Sequence, residues 1–554
     1  MSYEYKEVKQ KLPVETREAW TIKEVVENTA KFGDEIYLID AVTGKHYSYE
    51  ESNTEANKIS NSLISLGLSK GDRVALYMRN KPEFTFCIFA CCKAGLIEVP
   101  INTNFREPEI THMIKTAEIS TVIVDSDKGF LGELAKISER APVLKNVLVL
   151  GDTSQAPAML AKVISLDELV AKADASNPKV EVKHSDTCCI FFTSGTTGLP
   201  KGAPVSNKHF LLAAKSALAA PITRDDRNYN CLPLFHANNQ VYSTMGTRCL
   251  GSSYVISDRF SPKKFWREIK ENKATFFNYI GGMLTILDTV FGPEDVPDHG
   301  ARLAVGGPNP REGWEEKFKV ELFQWYALSE ALVLFGDFDP DRSKRRWGSF
   351  GVPIFPDLGR IIKLVDDEGR EVKAGEIGEL IEKGEEFTIK GYWGAPEATK
   401  EAIDEDGWFH TGDLVKKDED GYYYYIDRRK FMIRRAGENI ATAEVEAAIN
   451  SHPAVEVSAV FPAPDPFREE EVKAQIILKE GTKVEMEDLI RHCASKLAYH
   501  KVPRYIEVVK EFPKTPTERI QKVKLKERER QRKDHGWDRD KEIPNWRERY
   551  YGSK

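Results

Sequence analysis

The sequence predicts an α/β protein: a large N-terminal domain of layered β-sheets flanked by helices, followed by a small α+β C-terminal domain. Three observations predict it. Short apolar strand patterns alternate with amphipathic helical patterns in the first half. One apolar strand runs straight into a Gly/Thr-rich loop. Past a charged cluster near residue 428 the pattern changes to helix, two strands and helix.

The 554 residues exceed one ordinary domain. Residues 51–66 read as an amphipathic helix, and 73–78 (RVALYM), 121–125 (TVIVD) and 146–150 as short buried strands. The polar segment 171–186, which carries Pro178, reads as a connector. Strand 188–193 (CCIFFT) follows and enters the loop 193–202 (TSGTTGLPKG), with a helix expected from about Asn207. Strand 422–426 (YYYYI) ends in Asp427-Arg428-Arg429-Lys430. Beyond it, 443–450 reads as a helix, 457–461 and 472–478 as strands, and 486–497 as a helix. This is a unit of about 125 residues, a common domain size. The boundary is placed at 428–430, giving domains 1–428 and 429–554. The charge-rich tail 524–554 is expected to be a solvated helix with a partly docked end.

Composition narrows the function classes. The chain is 41% hydrophobic and 30% charged with net charge -7. That suits large buried cores and leaves no basic footprint for nucleic acid. The eight cysteines (Cys87, Cys91, Cys92, Cys188, Cys189, Cys231, Cys249 and Cys493) sit mostly in apolar runs and form no C-x-x-C pair. Reduced, buried thiols of a cytoplasmic protein are expected, not a zinc site. Residues 1–20 alternate charges and lack the apolar core of a secretory signal. The longest apolar stretch, 84–92, is far shorter than the ~20 residues of a membrane span. The sequence sets no oligomeric state; a homodimer is one admissible assembly.

The loop 193–202 carries the chemistry. Three glycines allow close backbone approach, four hydroxyls and exposed N–H groups suit phosphate oxygens, and Lys201 adds charge. A P-loop fails on spacing: Gly195 to Lys201 reads G-x-x-G-x-x-K, and Gly202 stands where the metal-binding hydroxyl belongs.

This loop resembles the signature of the adenylate-forming superfamily, which holds acyl-CoA synthetases, luciferases and the adenylation domains of peptide synthetases. The resemblance implies that Thr193, Ser194, Gly195, Thr196, Thr197, Gly198 and Lys201 grip the pyrophosphate end of ATP. Further family segments follow in order over most of the chain. AVGGP at 304–308 is similar to the turn that lies along adenine, here Gly306, Gly307 and Pro308. WYALSEA at 325–331 resembles Tyr-Gly-x-Thr-Glu, with Ala327 for Gly and Ser329 for Thr. It implies that Tyr326 stacks on adenine and that Ser329 contacts the α-phosphate or the acid. Glu330, with Thr193, would hold Mg²⁺, a hard cation suited to oxygen ligands. In WFHTGDL at 408–414, Asp413 looks like the acceptor of both ribose hydroxyls, and Arg428 like the second ribose contact. Lys430 falls at the family hinge, so the C-terminal domain is expected to be mobile and to rotate between two half-reactions.

RAGENIATAEVE at 435–446 resembles the loop of the coenzyme A (CoA) step, with Gly437 and Glu438 implicated and Ala436 where a second Gly is common. One departure matters. PKTPTERIQK at 513–522 has Arg519 where many relatives carry the lysine that bridges the acid carboxylate and the α-phosphate. Arginine keeps the charge and offers a carboxylate-matching fork. Arg519 is expected to do the job, with Lys522 as its substitute.

The implied function is an AMP-forming acid–CoA ligase using ATP, Mg²⁺ and CoA, with a small carboxylic acid as substrate. The rivals are an adenylating enzyme with another acceptor, and a nucleotide-binding regulator with impaired catalysis. LPLFHANNQ at 232–240 and NYIGGML at 278–284 look like the subgroup around the carnitine and crotonobetaine CoA ligases. His236, Asn238, Asn239, Tyr279 and Gly281 are the candidate acid pocket, suited to a polar or small acid. Tyr242, Phe235 and Trp325 are either a patch for a quaternary ammonium or plain packing.

Overall fold

The computed structural model describes residues 2–138, 140–158, 160, 162–193, 199–307, 313–435, 438–465, 468–514, 520–532 and 534–552. Among them, three sheets build the first part of the chain. The seven-stranded sheet runs in the order Lys162–Ser165, Asn146–Leu150, Thr121–Asp125, Arg73–Tyr77, Ile97–Pro100, Thr187–Thr193, Lys201–Ser206. It is parallel except for its last pair. The nine-stranded sheet is parallel through its middle, where Ser253–Ile256, Arg227–Asn230, Phe276–Tyr279, Leu303–Gly306 and Glu321–Leu328 lie side by side. The third sheet is antiparallel: Ile361–Val365, Ile377–Lys383, Phe409–Lys417 and Tyr423–Arg428.

Local chemistry explains the helices between the sheets. Tyr49–Ser65 starts with a capping box, in which Ser48 and Glu51 satisfy each other's backbone N–H groups. Pro82–Lys93 is apolar on all sides, the mark of a buried helix. It touches strands of both large sheets and buries Phe84, Phe86, Ile88 and Phe89. Each of these side chains contributes roughly 2 kcal/mol of burial. The long apolar stretch is therefore a central-layer helix, and among the described residues no helix is long and apolar enough to cross a membrane. All eight cysteines are free and buried.

The chain after the turn Arg429–Phe431 builds its own sheet. Val455–Asp465 and Glu469–Leu478 pair antiparallel, and Thr442–Asn450 and Met486–Ala494 are its helices. The tail is docked more fully than its charge suggests. Helix Lys522–Arg530 buries Leu525 and Glu529, and Glu529 accepts from the buried Lys473 at 2.7 Å. The Arg539 guanidinium lies 3.7 Å from the Trp546 ring centroid and donates to the carbonyls of Val502 and Pro503.

One buried acid gives the fold a pH dependence. Glu98, opposite Cys189 in the seven-stranded sheet, is fully buried and accepts from Gln240 Nε2 at 2.7 Å. Burial raises its carboxyl from 4.5 to about 8, partly offset by the Gln240 bond. Glu98 Oε2 and Gln240 Oε1 both lack a donor, and a proton on Glu98 supplies one. Between pH 4.5 and about 8 the folded chain therefore holds a proton that the unfolded chain has released. Stability falls with rising pH through that window and levels off above it. In Glu98→Gln this contribution is absent: the variant's melting temperature is expected to gain on the parent's as pH rises from 5 to 8. Parallel melting curves across that range would refute it.

Candidate functional site

The phosphate end forms where two strands meet Glu330. Thr193 closes Thr187–Thr193, Lys201 opens Lys201–Ser206, and the two pair directly. The strands that flank the loop are thus antiparallel neighbours. The helix expected from about Asn207 forms at Asn207–Ser216, and the strand Lys201–Ser206, which the sequence reading did not foresee, stands between it and the loop. Ser206 caps the helix N-terminus, its hydroxyl accepting from the His209 N–H at 3.1 Å. Thr193 Oγ1 donates to Glu330 Oε1 at 3.3 Å and lies 3.4 Å from the Lys201 carbonyl oxygen. Ser194, Gly195, Thr196, Thr197 and Gly198 lie outside the described residues, as do Pro308, Gly437 and Arg519.

Glu330 and Ser329 sit, half buried, on the turn between Glu321–Leu328 and Leu332–Asp337. This turn is strained: Leu332 has φ 48°, a region that bulky residues avoid. It is braced by Arg360, buried beside Glu382, which donates to the Ala331 carbonyl at 3.4 Å and to the Ile354 carbonyl at 3.1 Å. A residue outside the sequence-predicted set also reaches Glu330. Tyr392 donates its hydroxyl to Glu330 Oε1 at 2.9 Å, and its ring centroid lies 5.4 Å from Lys201 Nζ. The donor set of carboxylate and hydroxyl oxygens fits Mg²⁺.

The nucleoside end is tightly connected. Tyr326 lies four residues before Glu330 on the same strand-and-turn segment. Its hydroxyl donates to Asp413 Oδ2, and one ring face stacks on Phe350, with centroids 4.8 Å apart. A stacked base would therefore take the face opposite Phe350. Burial, and then the Asp413 carboxylate, hold the Tyr326 phenol far above its ordinary range. Asp413 is buried and pairs with Arg428 Nε at 2.5 Å, because the register of Phe409–Lys417 and Tyr423–Arg428 sets the two residues opposite each other. Gly306 packs against Tyr279: a Cβ there would lie 2.3 Å from the Tyr279 carbonyl oxygen. Gly307 continues the turn at the carboxyl edge of the parallel strands, where open α/β sheets bind ligands.

The backbone of Lys430, the expected hinge, lies in the turn Arg429–Phe431, and Arg429 pairs with Asp367 and Glu379, each at 2.6 Å. Asp427 accepts from Thr442 Oγ1 at 2.7 Å. Thr442 in turn accepts from Lys522 Nζ at 3.0 Å, and Lys522 pairs with Glu446 at 2.6 Å. The charge of Lys522 is therefore matched beside this turn. Glu438 pairs through its backbone with Arg435.

The acid-side residues divide. His236 is exposed, its ring edge-on to Phe235 at 4.6 Å. Half-buried Asn238 opens an eight-residue π-helix, Asn238–Met245, a rare form that concentrates at functional sites. Gly281 opens helix Gly281–Val290. Two expected pocket residues are instead core. Asn239 is fully buried, donating to the Leu232 carbonyl at 2.5 Å and accepting from Tyr254 at 2.7 Å. Tyr279 is fully buried behind Gly306. Tyr242 and Trp325 are also buried and pack on each other at 4.5 Å, so they are packing and not an open cage.

A relay of amides lies under Asn238. Asn228 Nδ2 donates to Asn278 Oδ1 at 2.9 Å, and Asn278 Nδ2 donates to Asn238 Oδ1 at 3.2 Å. The spare group at its inner end is an acceptor, Asn228 Oδ1, which is less costly to leave unmatched than an N–H.

Comparisons with known proteins agree with this geometry. The AMP-binding enzyme family matches residues 25–393, and the AMP-binding enzyme C-terminal domain matches residues 444–519. The chain is 32% identical over 490 residues to the crotonobetaine/carnitine–CoA ligase of Salmonella arizonae, covering 87% of this chain and 93% of that one. It superposes on the anthranilate CoA ligase AuaEII in complex with anthranoyl-AMP with a TM-score of 0.81 and 26% identity, over 94% of this chain and 98% of that chain. ATP-bound MatB from Rhodopseudomonas palustris gives 0.80 and 26%, over 92% and 99%.

Proposed function

Because this chain belongs to the AMP-binding enzyme family, we propose that the site just described activates a small, polar carboxylic acid for transfer to CoA. The chain is an AMP-forming CoA ligase, so its reaction has two halves. The acid attacks the α-phosphorus of ATP, giving an acyl-adenylate and pyrophosphate. CoA then displaces AMP and forms the thioester. Charge builds up on the phosphates in the first half, and preorganised cations and donors lower its barrier.

One observation carries the assignment of roles. Tyr326 and Glu330, four residues apart, each contact a second motif: Tyr326 meets Asp413, itself paired with Arg428, and Glu330 meets Thr193. A nucleoside grip and a phosphate grip are thus held at one molecular spacing. Asp413 and Arg428 hold the ribose, and Gly306 and Gly307 flank the base. Lys201 and the loop face the pyrophosphate. Glu330 and Thr193 would hold Mg²⁺, which would neutralise phosphate charge when bound. The small domain turns about Lys430 between the halves and brings Gly437 and Glu438 to CoA.

The amide relay supports a polar acid. Its direction occupies the oxygen of Asn238 and leaves the Nδ2 hydrogens to donate, so an acid bearing an acceptor such as a hydroxyl or carbonyl oxygen fits. The relative named for crotonobetaine and carnitine puts acids of that size in the test set. The test is a pyrophosphate-release screen over small, branched, aromatic and betaine acids, with AMP and ADP both quantified. AMP with an acid-dependent thioester is expected, and ATP turnover only to ADP would end the reading. Asn238→Leu is expected to raise KM for the best acid about tenfold, the scale of one lost hydrogen bond to a buried group, with KM for ATP unchanged. Equal effects on both substrates would remove Asn238 from the acid pocket.

A further inference from the structure

The segment 389–393 clasps the phosphate end from a part of the chain that no motif marks. The Ile389 N–H donates to the Glu330 carbonyl at 2.9 Å, and the Trp393 N–H donates to the Gly202 carbonyl at 2.8 Å. Between these anchors stands Tyr392, whose own N–H donates to Thr399 Oγ1 at 2.9 Å. Gly391, with φ 149° and Thr399 where a Cβ would sit, lets the chain turn tightly there. The Tyr392 hydroxyl is thereby delivered to Glu330 Oε1, and its ring to Lys201.

We propose that Tyr392 is a positioning residue for adenylation: its hydroxyl orients the Glu330 carboxylate while its ring backs the Lys201 ammonium. The proposal rests on Glu330 as the metal-side carboxylate. The hydroxyls of Tyr392 and Thr193 both fall on Oε1, and among the described residues no hydrogen bond falls on Oε2. Two donors on one oxygen fix the rotation of the carboxylate and present the other oxygen to a cation. The ring face attracts Lys201 without claiming its hydrogens, and the other charge against Lys201 Nζ is the exposed Glu401 carboxylate at 3.7 Å. One side chain thus sets the spacing between the metal-side anion and the phosphate-side cation. Hydrogen bonds to metal-ligating carboxylates typically govern about 10–100-fold in affinity or activity.

Tyr392→Phe separates this role from packing, because it keeps the ring against Lys201 and loses only the hydroxyl. Mn²⁺ binding in the presence of a non-hydrolysable ATP analogue, followed by electron paramagnetic resonance, is expected to weaken about tenfold in the variant. Half-saturation by Mg²⁺ in pyrophosphate release is expected to rise by a similar factor, with KM for the acid and the melting temperature unchanged. Tyr392→Leu, which also loses the ring, is expected to add a rise in KM for ATP. Unaltered Mn²⁺ and Mg²⁺ dependence in Tyr392→Phe overturns the proposal, and so does a variant whose only defect is a lower melting temperature. The Mn²⁺ measurement reads Tyr392 even if the parent releases no pyrophosphate, an outcome that would count against the ligase reading instead.

Discussion

Replacing Glu330 with glutamine is expected to lower acid-dependent pyrophosphate release by about 10²–10³-fold, or about 2.7–4 kcal/mol of transition-state stabilisation. The substitution keeps the shape of the side chain and an oxygen that accepts from Thr193 and Tyr392. It removes only the negative charge. Magnesium is a hard cation and binds a neutral amide oxygen far less well than a carboxylate. The nucleoside grip of Tyr326, Asp413 and Arg428 is untouched, so the loss falls on kcat more than on KM for ATP. Glu330 is half buried, and stability is expected to change little. Steady-state kinetics at several Mg²⁺ concentrations check this. A kcat within threefold of the parent would remove Glu330 from the metal-side role.

The motif that names Glu330 was legible in sequence because its residues are adjacent. The strands at 121–125 and 146–150 were legible because an unbroken apolar run between turn signals has few other readings, and the structure forms them at Thr121–Asp125 and Asn146–Leu150. Lys201–Ser206 was missed because KGAPVS carries a glycine and a proline. It forms a strand at the sheet edge, where a proline costs no ladder bond on its open side. Asn239 and Tyr279 show a different limit. Both lie within the segments that the sequence assigns to the acid side, yet the fold turns them inward, to Leu232 and Tyr254 in one case and behind Gly306 in the other. A sequence segment does not reveal which side of a helix or strand meets the cavity when polar residues occupy both. Tyr392 lies 62 positions from Glu330, and only the tertiary fold joins them.

The same limit applies to the two cations near the end of the chain, and separating them tests the departure at Arg519. Arg519→Ala is expected to lower adenylation by about 10²–10³-fold, the scale of one preorganised group lost from a developing negative charge. Thioester formation from preformed acyl-adenylate and CoA should stay within a few-fold, because the acid–phosphate attack is already complete. Lys522→Ala should behave in the opposite way. Lys522 bonds Glu446 and Thr442, and Thr442 bonds Asp427 at the end of the large domain. Removing it leaves the half-buried Glu446, whose carboxyl burial already raises against the opposing pull of Lys522, with the Val460 N–H at 2.7 Å but without its cation. A cost of about 1–3 kcal/mol in stability is expected, seen as a lower melting temperature, with adenylation per folded molecule close to the parent's. The guanidinium fork would let arginine serve in the lysine's place: it meets a carboxylate through two parallel N–H bonds, and its charge persists at any working pH. If Lys522→Ala abolished adenylation without altering melting, while Arg519→Ala left it intact, the roles would be reversed and the Glu446 pair would have to open during the cycle.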